Sequence, residues 1–296
     1  MSDASVRHPA DSRSLQESLA EDPFEQPRPI PTMDRLGIQQ GWRRLPLPHL
    51  VTLLLLIGAL VPVWIFDRAL FSVMNEAHSP ATDALWLFFT TLGDGVILAI
   101  IVGALVIVNP RTTVLALSVM ALSSLAMHSI KLVAPAPRPA AVFESVHVVG
   151  PLLRSGSFPS GHTAASMAAA LGIQHLSSRF AGMAALGLAL LVSLSRVFVG
   201  AHFPKDVVGG TVLALGLFVA FSWLVWPRIC QAVPDKPDFS RPWLRILFRV
   251  EVAACLYALC IHAPYYAESG PAAAAIALAV LTFLGTRWRK CSARTW

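Results

Sequence analysis

The sequence predicts an all-α fold, a polytopic membrane bundle of six core spans with two further spans at its C-terminal end. Three observations carry that prediction. Only 14% of the residues are charged, while 55% are hydrophobic and the mean hydropathy is +0.62; soluble domains carry about 25% charged residues. Apolar stretches of span length recur from residue 50 onward, separated by short polar turns. Lys and Arg are shared unequally between alternate turns, as they are between the two sides of a membrane.

Residues 1–48 are polar, punctuated by Pro9, Pro23, Pro27, Pro29 and Pro31, and show no apolar period. They read as a disordered cytoplasmic tail, with room for a short amphipathic piece near Met33 to Leu45. Asp3, Asp11 and Glu17 sit where a signal peptide would place its apolar core. The first span is Leu50 to Phe66, long enough at 1.5 Å per residue to cross an apolar layer. Asp67, Arg68, Asn75, Glu76 and Asp83 then mark a wet loop. Gly93-Asp94-Gly95 breaks the next stretch into an interfacial helix and a span from Val96 to Val108. Asp94 has two readings, the cap of that span or an ionisable group held at membrane depth for function.

After the turn Asn109-Pro110-Arg111, a span runs from Thr113 to Ile130, and a long polar loop follows from Lys131 to Gly161. Thr163 to Leu176 is short and rich in Ala, Gly and Ser, which suits close helix packing. Gly182 to Val199 and Val207 to Trp226 complete the membrane domain, residues 49–228, whose core is 113–226. A basic linker, 229–246, leads to residues 247–296, with weaker spans at Leu247 to Ile261 and Ala272 to Gly285 and a basic tail. Cys230, Cys255, Cys260 and Cys291 follow no metal-ligand spacing, and no disulfide is expected.

With the N-terminus in the cytoplasm, 17 of the 23 Lys and Arg residues fall on the cytoplasmic side. The basic excess therefore reports orientation, and a nucleic-acid partner is not expected. The chain is placed in the cell (inner) membrane. The same alternation brings three polar clusters out on the non-cytoplasmic side. They are Lys131 with Arg138-Pro139, then Pro159-Ser160-Gly161-His162, then Ser195-Arg196 with His202 and Asp206.

These clusters hold the chemistry of phosphate transfer. Lys131 ends a span, and Pro135, Pro137 and Pro139 force an extended path that presents Arg138 away from the helix. Arg offers a planar fork to phosphate oxygens and Lys a compact charge. Pro159-Ser160-Gly161 opens a helix whose N–H groups attract an anion. There Gly161 permits close approach, Ser160 adds a hydroxyl, and His162 can protonate a leaving oxygen. Arg196 closes the cation cage. His202 and Asp206 are four residues apart, so a helix would place the carboxylate beside the imidazole and free the other ring nitrogen for attack. Magnesium sites want carboxylates, and the one motif carboxylate is committed to a histidine, so neither metal nor cofactor is expected. Each feature alone has an ordinary structural role, as an interfacial anchor, a turn or a packed histidine. His8, His49, His78, His128, His147, His175 and His262 lack such company, and Glu144 and Arg154 read as solvated loop charges or as headgroup contacts.

The three clusters resemble the signature of the type-2 phosphatidic acid phosphatase superfamily at every position. The resemblance covers the central third of the chain. It implies an all-helical fold, a phosphohistidine at His202 assisted by Asp206, His162 as the acid, and Lys131, Arg138, Ser160, Gly161 and Arg196 as phosphate ligands. It also implies a metal-independent lipid phosphatase, as in bacterial members acting on undecaprenyl diphosphate, phosphatidylglycerophosphate, phosphatidate or lipid A, with lipid phosphate and membrane lipid as partners. A phosphotransferase using the same site stays open. Vanadium haloperoxidases share the signature but are soluble, and a non-enzymatic lipid-phosphate binder would be expected to have lost His162, His202 or Asp206.

Overall fold

The computed structural model describes residues 47–263 and 268–292, with side chains to residue 287. The expected tail and its amphipathic piece lie outside the described residues. Twelve α-helices account for most of what is described, with no strand among the described residues beyond a single bridge between Pro137 and Ser155.

The first helix, α1 (Leu47–Ile65), buries none of its residues and shows Leu54, Leu55, Val61 and Trp64 on its outside. Such a surface is stable in lipid and costly in water. Helix α2 (Asp67–Glu76) is amphipathic and buries Phe71 and Asn75. Helix α3 (Pro80–Leu92) begins with a Ser79–Thr82 capping box. Helix α4 (Gly95–Gly103), continued by a 3-10 turn to Ile107, is set at 61° to α3. The break falls at Gly93-Asp94, as its composition predicts. Asp94 accepts from the N–H groups of Val96 and Ile97, so the capping reading holds.

Helix α5 (Pro110–Val133) follows, then the short α6 (Pro139–Val142) inside the long loop. Helix α7 (Gly161–Leu176) sits in the middle of the membrane domain, packed on α5, on α8 (Arg179–Phe198) and on α9 (Pro204–Leu224). Its small residues explain that position. A Cβ on Gly172 would lie 2.7 Å from Ala116 Cα, so only glycine lets α7 approach α5 this closely. Helix α1 covers α9, and α3 covers α8.

The C-terminal part comprises a short helix α10 (Trp226–Ile229), α11 (Pro242–Tyr257) with a π turn to His262, and α12 (Gly270–Ser292). Ile97, Ile100 and Val106 of the α4 segment pack with Leu244, Cys255, Ala277 and Leu284 in one apolar cluster. Cys230, Cys255 and Cys260 are free.

Five helices are long and apolar enough to cross a membrane, and the bent pair of α3 with the α4 segment makes a sixth candidate. Eight spans were expected. The difference lies in α7, of 16 residues, and in α11, whose 16 α-helical residues pass into the π turn. The 16 residues of α7 rise about 24 Å, short of an apolar core about 30 Å thick. The segment Pro80–Leu92, expected to lie at the interface, forms with the α4 segment a bent pair that is apolar enough for a broken span or a re-entrant loop.

Candidate active site

All three sequence clusters meet at one end of α5, α7, α8 and α9. Lys131 is in the last turn of α5. Beyond it the proline-rich stretch runs extended against the end of the long loop: Arg138 N–H donates to Arg154 O at 3.0 Å and Ser157 N–H to Ala136 O at 3.0 Å. That pairing holds Arg138, only 7% exposed, with its guanidinium turned inward. Arg138 Nε donates to Ser155 O (3.0 Å), Nη1 to Ala201 O (3.1 Å) and Nη2 to Gly156 O (3.4 Å). Burial pulls its pKa below the usual guanidinium value, and Asp206 opposes the shift.

The second cluster begins α7. Ser160 is its N-cap residue, and its N–H donates to Asp206 O at 2.9 Å, which ties the start of α7 to the start of α9. The Ser160 hydroxyl is fully buried and accepts from Thr163 Oγ1 at 3.1 Å. Gly161 and His162 face the cavity; Ser160 lies behind it. A Cβ on Gly161 would lie 2.9 Å from Met127 Cε.

The third cluster spans the turn from α8 to α9. Gly200 takes φ +71°, a conformation that favours glycine, and a Cβ there would collide with His147 O. The turn brings the N–H groups of Ala201 and His202 onto Arg196 O, at 3.1 and 3.0 Å. Arg196 Nη1 donates to Thr90 Oγ1 of α3. His202 and Asp206 do not share a helix face, because α9 begins only at Pro204. Instead Asp206, in the first turn of α9, folds back over its own start. Its Oδ2 accepts from Phe203 N–H (2.9 Å) and Ser157 Oγ (2.5 Å) and lies 3.4 Å from His202 Nδ1. The expected pair forms, by N-terminal capping geometry rather than helical spacing.

His202 is 2% exposed. Burial lowers its pKa well below the ordinary imidazole value, and Arg196, Arg138 and Lys131 push the same way. The ring is therefore neutral near pH 7, with Nδ1 on the side of Asp206. The residues open onto a cavity of about 630 Å³ lined by Lys131, Arg138, Gly161, His162, Arg196 and His202. Leu87, Met127 and Leu153 give it an apolar wall. Three cations and two imidazoles facing one space can hold a phosphoryl group and attack it.

The structure adds residues that sequence reasoning did not assign. Ser157 holds Asp206, and Thr90 holds Arg196. Asp94 lines the cavity as well as capping α4, and His262 Nε2 reaches its Oδ1 at 3.3 Å. Glu268 and Ser269, ahead of α12, also line the cavity, so the C-terminal part contributes to its wall. Of the two loop charges, Glu144 is exposed. Arg154 bonds to Ala140 O at 3.1 Å, and neither lines the cavity.

Residues 112–230 match the PAP2 superfamily model. The undecaprenyl-diphosphatase BcrC of Bacillus subtilis is 30% identical over 54% of this chain and 88% of its own length. The chain belongs to the PAP2 superfamily. An undecaprenyl-diphosphatase of Sulfolobus acidocaldarius is 27% identical over 53% of this chain and 76% of its own. Among solved structures, LpxE of Aquifex aeolicus superposes with a TM-score of 0.50 at 28% identity, covering 52% of this chain and 93% of that one. This PAP2 chain is thus an all-α, multi-pass membrane phosphatase, and the matched region contains Lys131 and every other clustered residue.

Proposed function

We propose that this PAP2 chain is a lipid diphosphatase that removes the terminal phosphate of undecaprenyl diphosphate through a phosphohistidine at His202. The observation that carries the chemistry is the buried, neutral His202 backed by Asp206 and opening onto a cavity with Lys131, Arg138, Arg196 and His162. Both relatives named above are undecaprenyl-diphosphatases, which supports this choice of substrate.

In the proposed reaction the three cations take the charge of the terminal phosphoryl group. His202 Nε2 attacks phosphorus, and the P–O bond to the lipid monophosphate breaks. His162, which takes up a proton as the anionic substrate binds, delivers it to that leaving oxygen. A water molecule, deprotonated by His162, then adds to phosphorus. The P–N bond breaks, inorganic phosphate leaves and His202 returns neutral. Asp206 holds the ring orientation and offsets the positive charge on the phosphorylated imidazole. Ser160 serves this site by fixing the start of α7, and the N–H groups of Gly161 and its neighbours face the anion. The charge asymmetry of the loops supports a cavity on the non-cytoplasmic side of the inner membrane.

The test is a panel of lipid phosphates offered to detergent-purified protein, with released phosphate measured. Undecaprenyl diphosphate should give the highest kcat/KM, by about tenfold (1.4 kcal/mol) over phosphatidylglycerophosphate, phosphatidate and lipid A. A higher value for any of the other three overturns the substrate assignment.

A further inference from the structure

We propose that His78, Asp83 and His147 form a second site, which binds a zinc-class transition-metal ion and clamps the loop over the phosphate cavity to α2 and α3. One ligand atom from each of the three residues lies within 4.8 Å of the others, the one such grouping of His, Cys, Asp and Glu among the described residues. His147 Nε2 is 2.9 Å from Asp83 Oδ1. The His78 and His147 rings lie face to face, with centroids 3.9 Å apart and planes within 9°. His78 is exposed, and Asp83 and His147 are half-buried, so the site is open to an ion from solution.

The donor set selects the ion. Two imidazoles with one carboxylate suit zinc and its neighbours, and leave a fourth position for water. Calcium and magnesium want oxygen ligands throughout. Two metal bonds of roughly 2 Å at a tetrahedral angle place their ligand atoms about 3.3 Å apart. Asp83 and His147 already lie within that reach. The His78 side chain is exposed and has its ligand atom within 4.8 Å of the other two, so it is the one that turns to complete the set.

The ligands come from three separate pieces of chain. His78 is in the turn between α2 and α3, Asp83 in the first turn of α3, and His147 in the long loop. The His147 backbone is fixed for the purpose. Its N–H donates to Asn75 Oδ1 at 3.0 Å, and its carbonyl accepts from Asn75 Nδ2 at 2.8 Å. Two residues on, Val149 N–H donates to Val199 O, and Val149, Gly150, Pro151 and Leu153 line the cavity. An ion held at His147 therefore fixes the cavity roof. None of the three ligands lines the cavity, so the ion takes no part in phosphoryl transfer, and the proposal is independent of the substrate assigned above.

The test uses full-length, tag-free protein in detergent, stripped with EDTA and dialysed, then titrated with Co²⁺. One equivalent should bind per chain with visible d–d absorption, and Zn²⁺ should displace it. Zn²⁺ should also slow amide exchange over residues 145–153. His78→Ala, at an exposed position that packs no core, should abolish the Co²⁺ bands, as should Asp83→Asn. His78→Ala should leave phosphatase turnover in EDTA unchanged. Absence of stoichiometric Co²⁺ binding, or bands that persist in His78→Ala, overturns the site and leaves an Asp83–His147 ion pair with a stacked histidine.

Discussion

Replacing Ser157 by Ala removes one hydroxyl from behind the proposed nucleophile. That hydroxyl donates to Asp206 Oδ2 at 2.5 Å, and both residues are fully buried, so solvent water has no direct path to replace it. Asp206 Oδ2 would keep Phe203 N–H, and Oδ1 has no partner to compensate. A hydrogen bond to a charged group contributes about 1.5–3 kcal/mol. If the bond serves to hold the carboxylate against His202 as positive charge develops there, the loss appears in kcat. It amounts to roughly 10- to 150-fold at 1.36 kcal/mol per decade. KM should change by less than about threefold, because the Ser157 hydroxyl bonds to Asp206 and to none of the proposed phosphate ligands Lys131, Arg138 and Arg196. The assay is released phosphate from undecaprenyl diphosphate over a substrate range, with thermal unfolding measured in parallel. Ser157→Thr, which restores a hydroxyl, should recover part of kcat. A fall in Tm with kcat unchanged would refute the argument and leave Ser157 a purely structural contact.

Three further outcomes follow from the same geometry. His162→Ala should slow an alkyl phosphate far more than a phenolic phosphate of low leaving-group pKa, since the good leaving group needs no proton; equal losses would remove His162 from the acid role. His202 has its pKa lowered by burial and by three nearby cations, so it keeps its lone pair below pH 6.5 and loses it only on further acidification. The acid limb of kcat/KM, corrected for substrate ionisation, should accordingly lie below 6.5, and a limb above 7 would contradict a neutral nucleophile. Cysteine placed at the exposed Ser145 should react with a membrane-impermeant maleimide in intact cells, and one at Ser178 only after the membrane is opened; the reverse would put the cavity in the cytoplasmic leaflet.

The cationic half of the site was legible because Lys, Arg and His are conspicuous at the ends of apolar helices, and alternation of spans puts those ends together. The supports of the site were not. Thr90 sits in an apolar helix where a threonine raises no signal, and only the bend at Gly93-Asp94 swings α3 across to Arg196. Ser157 stands two residues before the cluster that opens at Pro159, yet its partner Asp206 is 49 residues away, a pairing that no local pattern encodes. The spacing of His202 and Asp206 pointed to the right pair for the wrong reason, since Pro204 starts the helix between them. At α7 composition and length point different ways, since its Ala-rich sequence reads as a span while its 16 residues are fewer than a typical one. The last two helices carry no motif, so their share of the cavity wall, through Glu268 and Ser269, became visible only in three dimensions.

The central claim is that phosphate passes through His202. The most direct measurement is a quenched-flow reaction with undecaprenyl diphosphate labelled in its terminal phosphate, stopped in alkali and followed by mass spectrometry of the peptides. A phosphohistidine, stable in alkali and lost in acid, should appear at His202 within the first turnover. It should accumulate in His162→Ala, where water activation is slowed, and be absent from His202→Ala. Label on any other residue, or turnover by His202→Ala at the wild-type rate, would contradict the account.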